Sequence, residues 1–516
     1  MAEVGTQPRY RNFALLGLYS HVYTFGTLNK FWGRAMSEGS SDSIVEYRTI
    51  EMISEAERHG SPSNQFTLWF GANLQITAVV DGALAVVFGS EALTAIIGLL
   101  IGNILGGAIM ALHAAQGPRL GLPQMISSRA QFGVKGATLP LVLVVLMYLG
   151  FAATGTVLSG QAINLMFGVA NPEFGIMAFG MLTAVVAIVG YRLIHILGRI
   201  ATIVSILGFG YLAIRLFGHY EIPQVFGQKP FSLASLLLTI SLSAGWQMTF
   251  APYVADYSRY LPSNTSNAAT FWNSLLGSAI GAQLAMTFGV LVAAVGAGFL
   301  KNQVGFMGEL AGASVAIVVY FVIVMGKLTI NCLNAYGGFM TMLTTVSSFS
   351  NERRISQAAR ITYIVGFVAV SVVVALFASA DFLQNFKNFV LLLLAVFVPW
   401  SAINLVDYYL ISKEQVDIPA LYNPNGRYGA YNWGTLGCYI LGILVQIPFV
   451  NQAMYQGVLS RMLGDADISW IVSLIVTSVL YYAWARKTQR VPDRMILPAD
   501  RADTVSGRGV IDTVRS

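Results

Sequence analysis

From about residue 63 to residue 489, long apolar runs alternate with short polar ones. A helix needs about 20 apolar residues to cross the hydrocarbon core of a bilayer. Runs near that length lie at 67–89, 91–114, 136–167, 174–191, 195–217, 232–254, 272–299, 312–341, 361–380, 387–410, 432–451 and 468–485. The pattern predicts an all-α integral membrane protein of about 12 transmembrane helices. It divides the chain into an amino-terminal tail (1–62), a transmembrane transporter domain (63–489) and a carboxy-terminal tail (490–516). Residues 1–35 are polar and dotted with aromatics, and Met36 opens a second start, MSEGSSDSIVEY. We read 1–35 as a disordered extension or a start-site artefact.

Composition agrees with the pattern. Of 516 residues, 55% are hydrophobic and 10% charged, against roughly 25% charged in soluble domains. The net charge of +6 does not indicate a nucleic-acid partner, because the basic residues sit at the ends of apolar runs. Their bias sets orientation. Arg119, Arg129, Lys135, Arg353, Arg354 and Arg360 fall on one side, whereas only Arg215, Lys229, Lys301 and Arg461 fall near loops of the other. Lys327 and Lys387 lie within or at the edge of spans. The expectation is a multi-pass plasma-membrane protein with both termini cytoplasmic, embedded as a monomer. Cys332 and Cys438 lie in apolar segments and read as inert thiols, making neither a disulfide framework nor a metal site. His21, His59, His113, His195 and His219 are scattered, with no HExxH. No GxxxxGK[ST] loop is present, so ATP-driven pumping and enzymatic chemistry are not indicated, and no cofactor or metal is expected.

Candidate chemistry lies where polar residues interrupt the spans, since transporters bind solutes near the midplane at discontinuous helices. Span one, TLWFGANLQITAVVDGA, carries Gly71, Asn73, Gln75 and Asp81. Span six, SLSAGWQMTFAPYVADYSRYLP, carries Gly245, Trp246, Gln247, Thr249 and Pro252. Positions one and six are those that two five-helix repeats of inverted topology require. In span eight, Lys327, Asn331 and Asn334 share one helical face. An intramembrane lysine is costly and marks function by default, with a structural pair to Asp81 as the alternative. Span three offers Tyr148 and Phe151 around Gly150. Trp246 and Phe151 for a ring's faces, with amides for its rim, suit a planar heterocycle.

These residues bring a resemblance into view. SPSNQFTLWFGANL, GPRLGLPQMISSRAQFGVKGATLP, GWQMTFAPYVADYSRYLP and GKLTINCLNAYGG occur in that order, and over roughly residues 50–490 the chain resembles the nucleobase–cation symporter family, in its purine–cytosine permease branch. The resemblance implies a LeuT-like fold: ten core helices in two inverted repeats with helices one and six discontinuous, plus two peripheral helices. It implies alternating access around a nucleobase-like ligand such as cytosine or a purine. By position, Trp246 and Gln247 are the span-six pair that stacks on and hydrogen-bonds the base, Asn331 is the span-eight amide, and Phe151 stands where the family often has Trp. In span one, Gln75 or Ile76 faces the ligand, with Ala72 near the cation site. Thr249, Tyr148 and Asn334 complete the candidates. Two departures concern the ion. Lys327 replaces the usual Asn, and the hydroxyls of a sodium site would fall on Met325 and Gly326, which have none. The expected function is therefore a permease importing a nucleobase-like heterocycle, proton-coupled or sodium-independent, in which Lys327 could release and rebind a proton each cycle. The alternatives are an amino-acid or osmolyte transporter on the same fold, and an uncoupled facilitative carrier.

Overall fold

Serines cap several of the predicted spans: Ser232, Ser266 and Ser356 each accept a hydrogen bond from the backbone N–H three residues on, satisfying a donor that the first helical turn leaves open. The computed structural model describes residues 50–189, 191–350, 356–452 and 455–499. All belong to the compact unit Tyr47–Ser516. The reading of residues 1–35 and Met36, the basic pair Arg353 and Arg354, the side chain of His195 and the tail beyond 499 lie outside the described residues.

A helix stands at each predicted span, with shifted ends. Span three runs Thr138–Phe167 and span eight Ala313–Ser347, the latter 35 residues long. At 1.5 Å per residue, span eight measures about 50 Å, so it either tilts or projects beyond a bilayer core of about 30 Å. Among the described residues, 6 helices are long and apolar enough to cross a membrane, or up to 7 with the bent first pair counted as one. Pro172–Ile188, Ile203–His219, Leu233–Met248 and Trp433–Phe449 are shorter apolar helices. Ser469–Thr488 occupies the last predicted position.

Both predicted discontinuities are present, but the cause of the first differs from the expected one. Span one runs Pro62–Asn73, breaks, and resumes as Ile76–Val87 at an angle of 61°. Gly71 stays helical. The break falls at Leu74 and at Gln75, whose backbone is extended, and amide side chains stabilise it by competing for backbone groups. The Asn73 amide donates to the Trp69 carbonyl at 2.7 Å, and the Gln75 amide to the Ala72 carbonyl at 2.9 Å. Span six runs Leu233–Met248, unwinds through Thr249–Tyr253 and closes with the short helix Val254–Ser258. Pro252, which has no N–H to donate, lies in the unwound stretch.

Packing repeats with a five-span offset. Span two lies along the first half of span six, and span seven, Asn267–Val295, along both halves of span one. Span three packs on eight and nine, and span eight on three and four. Span ten touches three as span five touches eight. Small residues permit the close approaches. Gly98, Gly102 and Gly106 of span two meet Thr239, Ile240 and Ala244, while Gly277, Gly281 and Gly289 of span seven meet Phe66, Phe70 and Val79. A methyl group at most of these positions would collide with backbone atoms of the partner.

One end of the bundle is closed by the segment joining spans two and three. Arg129 is buried there, donating to the carbonyls of Thr344 and Leu421 and to the hydroxyls of Ser347 and Ser348. Asp407, at the end of span ten, accepts from Gln131, Ser412, Tyr481 and Gln489. His113 stacks on Trp400 at 4.7 Å. The basic, polar motif of this segment is therefore consumed largely in internal bonds. Both cysteines are free and buried.

Candidate functional site

The two breaks face each other across a cavity of about 100 Å³. Its wall includes Trp69, Ala72, Gln75 and Thr77 from span one, Tyr148 and Phe151 from span three, Trp246, Phe250, Tyr253 and Tyr257 from span six, and Lys327 and Asn334 from span eight. Trp246 and Phe151 meet edge to face, with ring centroids 5.7 Å apart and planes at 90°. Phe389 of span ten, Phe382–Leu405, packs on Phe151 at 5.2 Å and lies over Gly150, where a methyl group would strike its ring. Tyr148 packs on Tyr253 at 5.4 Å, and its ring occupies the space that a side chain at Gly337 would need.

The Trp246 ring is held from behind. Its indole N–H donates to Asn73 Oδ1 at 2.6 Å, and the Asn73 amide donates to Ser278 Oγ at 2.9 Å. Ser278 Oγ donates to Gln247 Oε1 at 2.6 Å, Gln247 Nε2 donates to Asn103 Oδ1 at 3.0 Å, and Asn103 Nδ2 to Gln283 Oε1 at 3.0 Å. This relay ties spans six, one, seven and two together.

The expected site residues thus divide. Trp246, Phe151, Tyr148, Gln75, Ala72, Lys327 and Asn334 are brought to one cavity. Gln247 is not at its wall. Neighbouring helical positions differ by about 100°, and with Trp246 turned inward, Gln247 points into the relay. Thr249 is also withdrawn, its hydroxyl donating to the Trp246 carbonyl at 2.6 Å. Ile76 lines a separate apolar cavity of about 240 Å³ between spans five and eight. Asn331 sits behind the wall, its amide on Ala152 O and Thr156 Oγ1 of span three while Oδ1 has no partner among the described residues. Gly155 opposite it leaves the room it needs. Asn334, by contrast, lines the cavity, and its Nδ2 is also without a partner among the described residues.

Lys327 does not pair with Asp81. Its ammonium crosses to the break of span one and donates to Gln75 Oε1 at 2.8 Å and to Thr77 Oγ1. Asp81 is fully buried further along the same helix, and neither carboxylate oxygen has a partner among the described residues. No cluster of metal-ligating side chains occurs among the described residues.

Sequence reasoning passed over Trp69, Phe250, Tyr253, Tyr257 and Phe389. The first four were legible as a spacing. Trp69 stands four residues after Gln65, whose side-chain Oε1 accepts its indole N–H at 3.1 Å, and Phe250, Tyr253 and Tyr257 follow at helix-like intervals after Trp246. Phe389 carries no such signal, because its role depends on how span ten crosses Gly150.

Residues 52–473 match the family of permeases for cytosine/purines, uracil, thiamine and allantoin. The chain is 38% identical over 441 residues to the Bacillus subtilis protein named putative purine-cytosine permease YxlA, covering 85% of this chain and 95% of that one. It is 26% identical to the purine-cytosine permease fcyB of Emericella nidulans, over 85% of this chain and 87% of the relative. Among solved structures it matches Mhp1 in an inward-facing conformation with a TM-score of 0.71 at 18% identity, covering 90% of this chain and 98% of Mhp1. It also matches Mhp1, a nucleobase-cation-symport-1 family transporter, in a closed conformation with bromovinylhydantoin bound, with a TM-score of 0.66 at 19% identity, covering 89% of this chain and 99% of that one. The likeness runs through the helical bundle and agrees with the five-span offset of the packing: the fold is the LeuT-like inverted repeat.

Proposed function

The chain belongs to the cytosine/purine permease family of multi-pass membrane transporters, and on that premise we propose that it imports a nucleobase or closely related planar heterocycle by alternating access, driven by protons or at least without sodium. The observation that carries the reading is the cavity at the two helix breaks. Perpendicular aromatic rings, Trp246 and Phe151, offer a flat ligand one face and one edge, and Asn334 presents an unpaired amide donor. A heterocycle satisfies both demands: its π-face suits the aromatics and an acceptor on its rim takes up the orphaned N–H, which is costly to leave dry. We assign substrate contact to Trp246, Phe151, Tyr148, Gln75 and Asn334, with Gln247, Asn331 and Thr249 supporting that wall and Ile76 turned to the neighbouring apolar cavity.

Lys327 supports sodium independence. Its ammonium occupies the junction of spans one and eight, bonded to Gln75 and Thr77, where a fixed cation can do what a bound sodium ion would. Uptake of labelled cytosine, adenine, hypoxanthine and uracil, competed by one another and by allantoin and hydantoins, identifies the substrate. The absence of uptake and competition with every one of them would remove the reading. The basic-residue bias supports cytoplasmic termini, and we take the chain to act as a monomer in the plasma membrane. A cysteine at Asn264, between spans six and seven, should resist an impermeant reagent in intact cells, and labelling there would invert the topology.

A further inference from the structure

The buried carboxyl of Asp81 has no role in the cavity, yet it sits on a charged line that runs through the second half of span one. Thr77, Asp81 and Phe88 fall at i, i+4 and i+11, one face of the helix Ile76–Val87 and its cap. At one end of this face Lys327 donates to Thr77; at the other the Lys387 ammonium stands 3.7 Å from the centre of the Phe88 ring. Asp81 lies between them, about 6 Å from the Thr77 position and about 10 Å from that of Phe88 along the axis. Spans two, three, six, seven and ten pack on this helix. Their ionisable side chains are few: Lys387 near the start of span ten with Asp381 and Asp407 at its ends, Tyr148 in span three, Tyr253, Asp256 and Tyr257 beyond the break of span six, His113 at the far end of span two, and Glu91 capping span two with its carboxylate on the N–H groups of Thr94 and Gly227. Span eight adds Lys327.

An ionised carboxylate in this position would be expensive without donors, by several kcal/mol, and an ammonium one helical turn away would be drawn to it. Instead Lys327 bonds neutral oxygens and Asp81 is left alone. That arrangement is the stable one when Asp81 carries a proton. We propose that Asp81 is the binding site of the coupling proton, and that the Lys327 ammonium transmits its state to the cavity. With the proton on Asp81, Lys327 holds Gln75 and Thr77 at the break of span one. When the proton leaves, the carboxylate draws the ammonium one turn along the helix, and Gln75, a cavity residue, is released. The only covalent bond made or broken is that between the proton and an Asp81 oxygen, the released proton passing to water on the cytoplasmic side; the lysine exchanges its hydrogen bonds to Gln75 and Thr77 for the carboxylate and stays charged throughout. This rests on the proton-driven reading above and changes which group carries the proton.

The test uses the full chain in proteoliposomes with the labelled base that wild type takes up best. Two rates are read: accumulation under an inward proton gradient, and counterflow exchange at equal pH. With one proton per base, a gradient of one pH unit supports up to about tenfold accumulation. Asp81→Asn should equilibrate at a ratio of about one while still exchanging base, and Asp81→Glu should restore accumulation. Undiminished accumulation in Asp81→Asn overturns the proposal and leaves proton coupling standing. Loss of exchange together with accumulation in both variants makes Asp81 a structural group and also overturns it. If wild type is driven by a sodium gradient alone, the proton reading itself fails and this proposal falls with it.

Discussion

Toward spans two, six and seven, the broken first span is bound by a closed relay in which Asn73, Ser278, Gln247, Asn103 and Gln283 use their polar atoms on one another and on the Trp246 indole. Toward spans three and eight, by contrast, Asp81, Asn331 and Asn334 are left with buried atoms that have no partner among the described residues, and the Lys327 ammonium bonds the break itself. Buried polar groups in folded proteins are nearly always paired, so the second face is where something is missing from the protein alone. The first face fixes an aromatic ring in place; the second is where the proposed base and proton would bind. Most polar residues in the apolar spans are of the first kind, and their presence does not by itself mark a site.

Removing the ring that the first face holds should have the largest effect. Trp246→Ala loses a stacking surface of about 1–3 kcal/mol by analogy with base–aromatic contacts, or roughly 5- to 150-fold in affinity. Uptake should fall to background with the protein still in the membrane fraction. Unimpaired uptake would break the comparison at its strongest point.

The second face is tested through its cation. Lys327→Asn installs the residue that the resemblance gives as usual in the family and removes the one charge bonded to the span-one break among the described residues. Accumulation under a one-unit inward proton gradient, up to about tenfold in wild type, should vanish, and the stimulation of uptake by external acid should disappear with it. Persistence of acid-stimulated accumulation would reduce Lys327 to a brace. Asn334→Ala should act more narrowly. It removes a donor worth about 1–2 kcal/mol to a matched acceptor, and it should reorder the competing bases more than it lowers the overall rate. An unchanged order would take Asn334 out of substrate contact.

The breaks in spans one and six, the aromatic pair and the face shared by Lys327 and Asn334 were all legible in the sequence, because each depends on local spacing. The inverted repeat was legible too, though in a signal not used: glycines every fourth residue at Gly98, Gly102 and Gly106, answered by Gly277 and Gly281 with Gly289 beyond. Other features depend on neighbours distant in sequence. Asp81 and Lys327 are 246 positions apart by their numbers, and spacing cannot tell that the lysine stops at Thr77. Composition shows apolar runs equally well in a long helix and in a short one, which is why the α-helical part of span eleven ends at Leu444, with only a 3-10 turn reaching Phe449, short of the predicted 432–451.

The side chain of Gln247 separates the two faces most sharply, although its predicted effect is the smallest. Its place beside Trp246 suggests contact with the rim of the base, and that role would make Gln247→Ala a selectivity variant. The relay assigns it otherwise. Its carbonyl oxygen accepts from the Ser278 hydroxyl and its amide donates to Asn103 Oδ1 and the Ser278 carbonyl, so both of its donors are used within the relay. Truncation strands those two partners in a dry interior. Hydrogen bonds between membrane helices average about 0.6 kcal/mol, and a stranded buried group costs about 1–3 kcal/mol. The loss should therefore appear as a lowered unfolding temperature in detergent and a drop in uptake of only a few fold, from looser support of the Trp246 indole through Asn73. The order in which cytosine, adenine, hypoxanthine and uracil compete should be that of the wild type. Should the order change while the unfolding temperature holds, Gln247 reads the base directly and the relay is only one of its states.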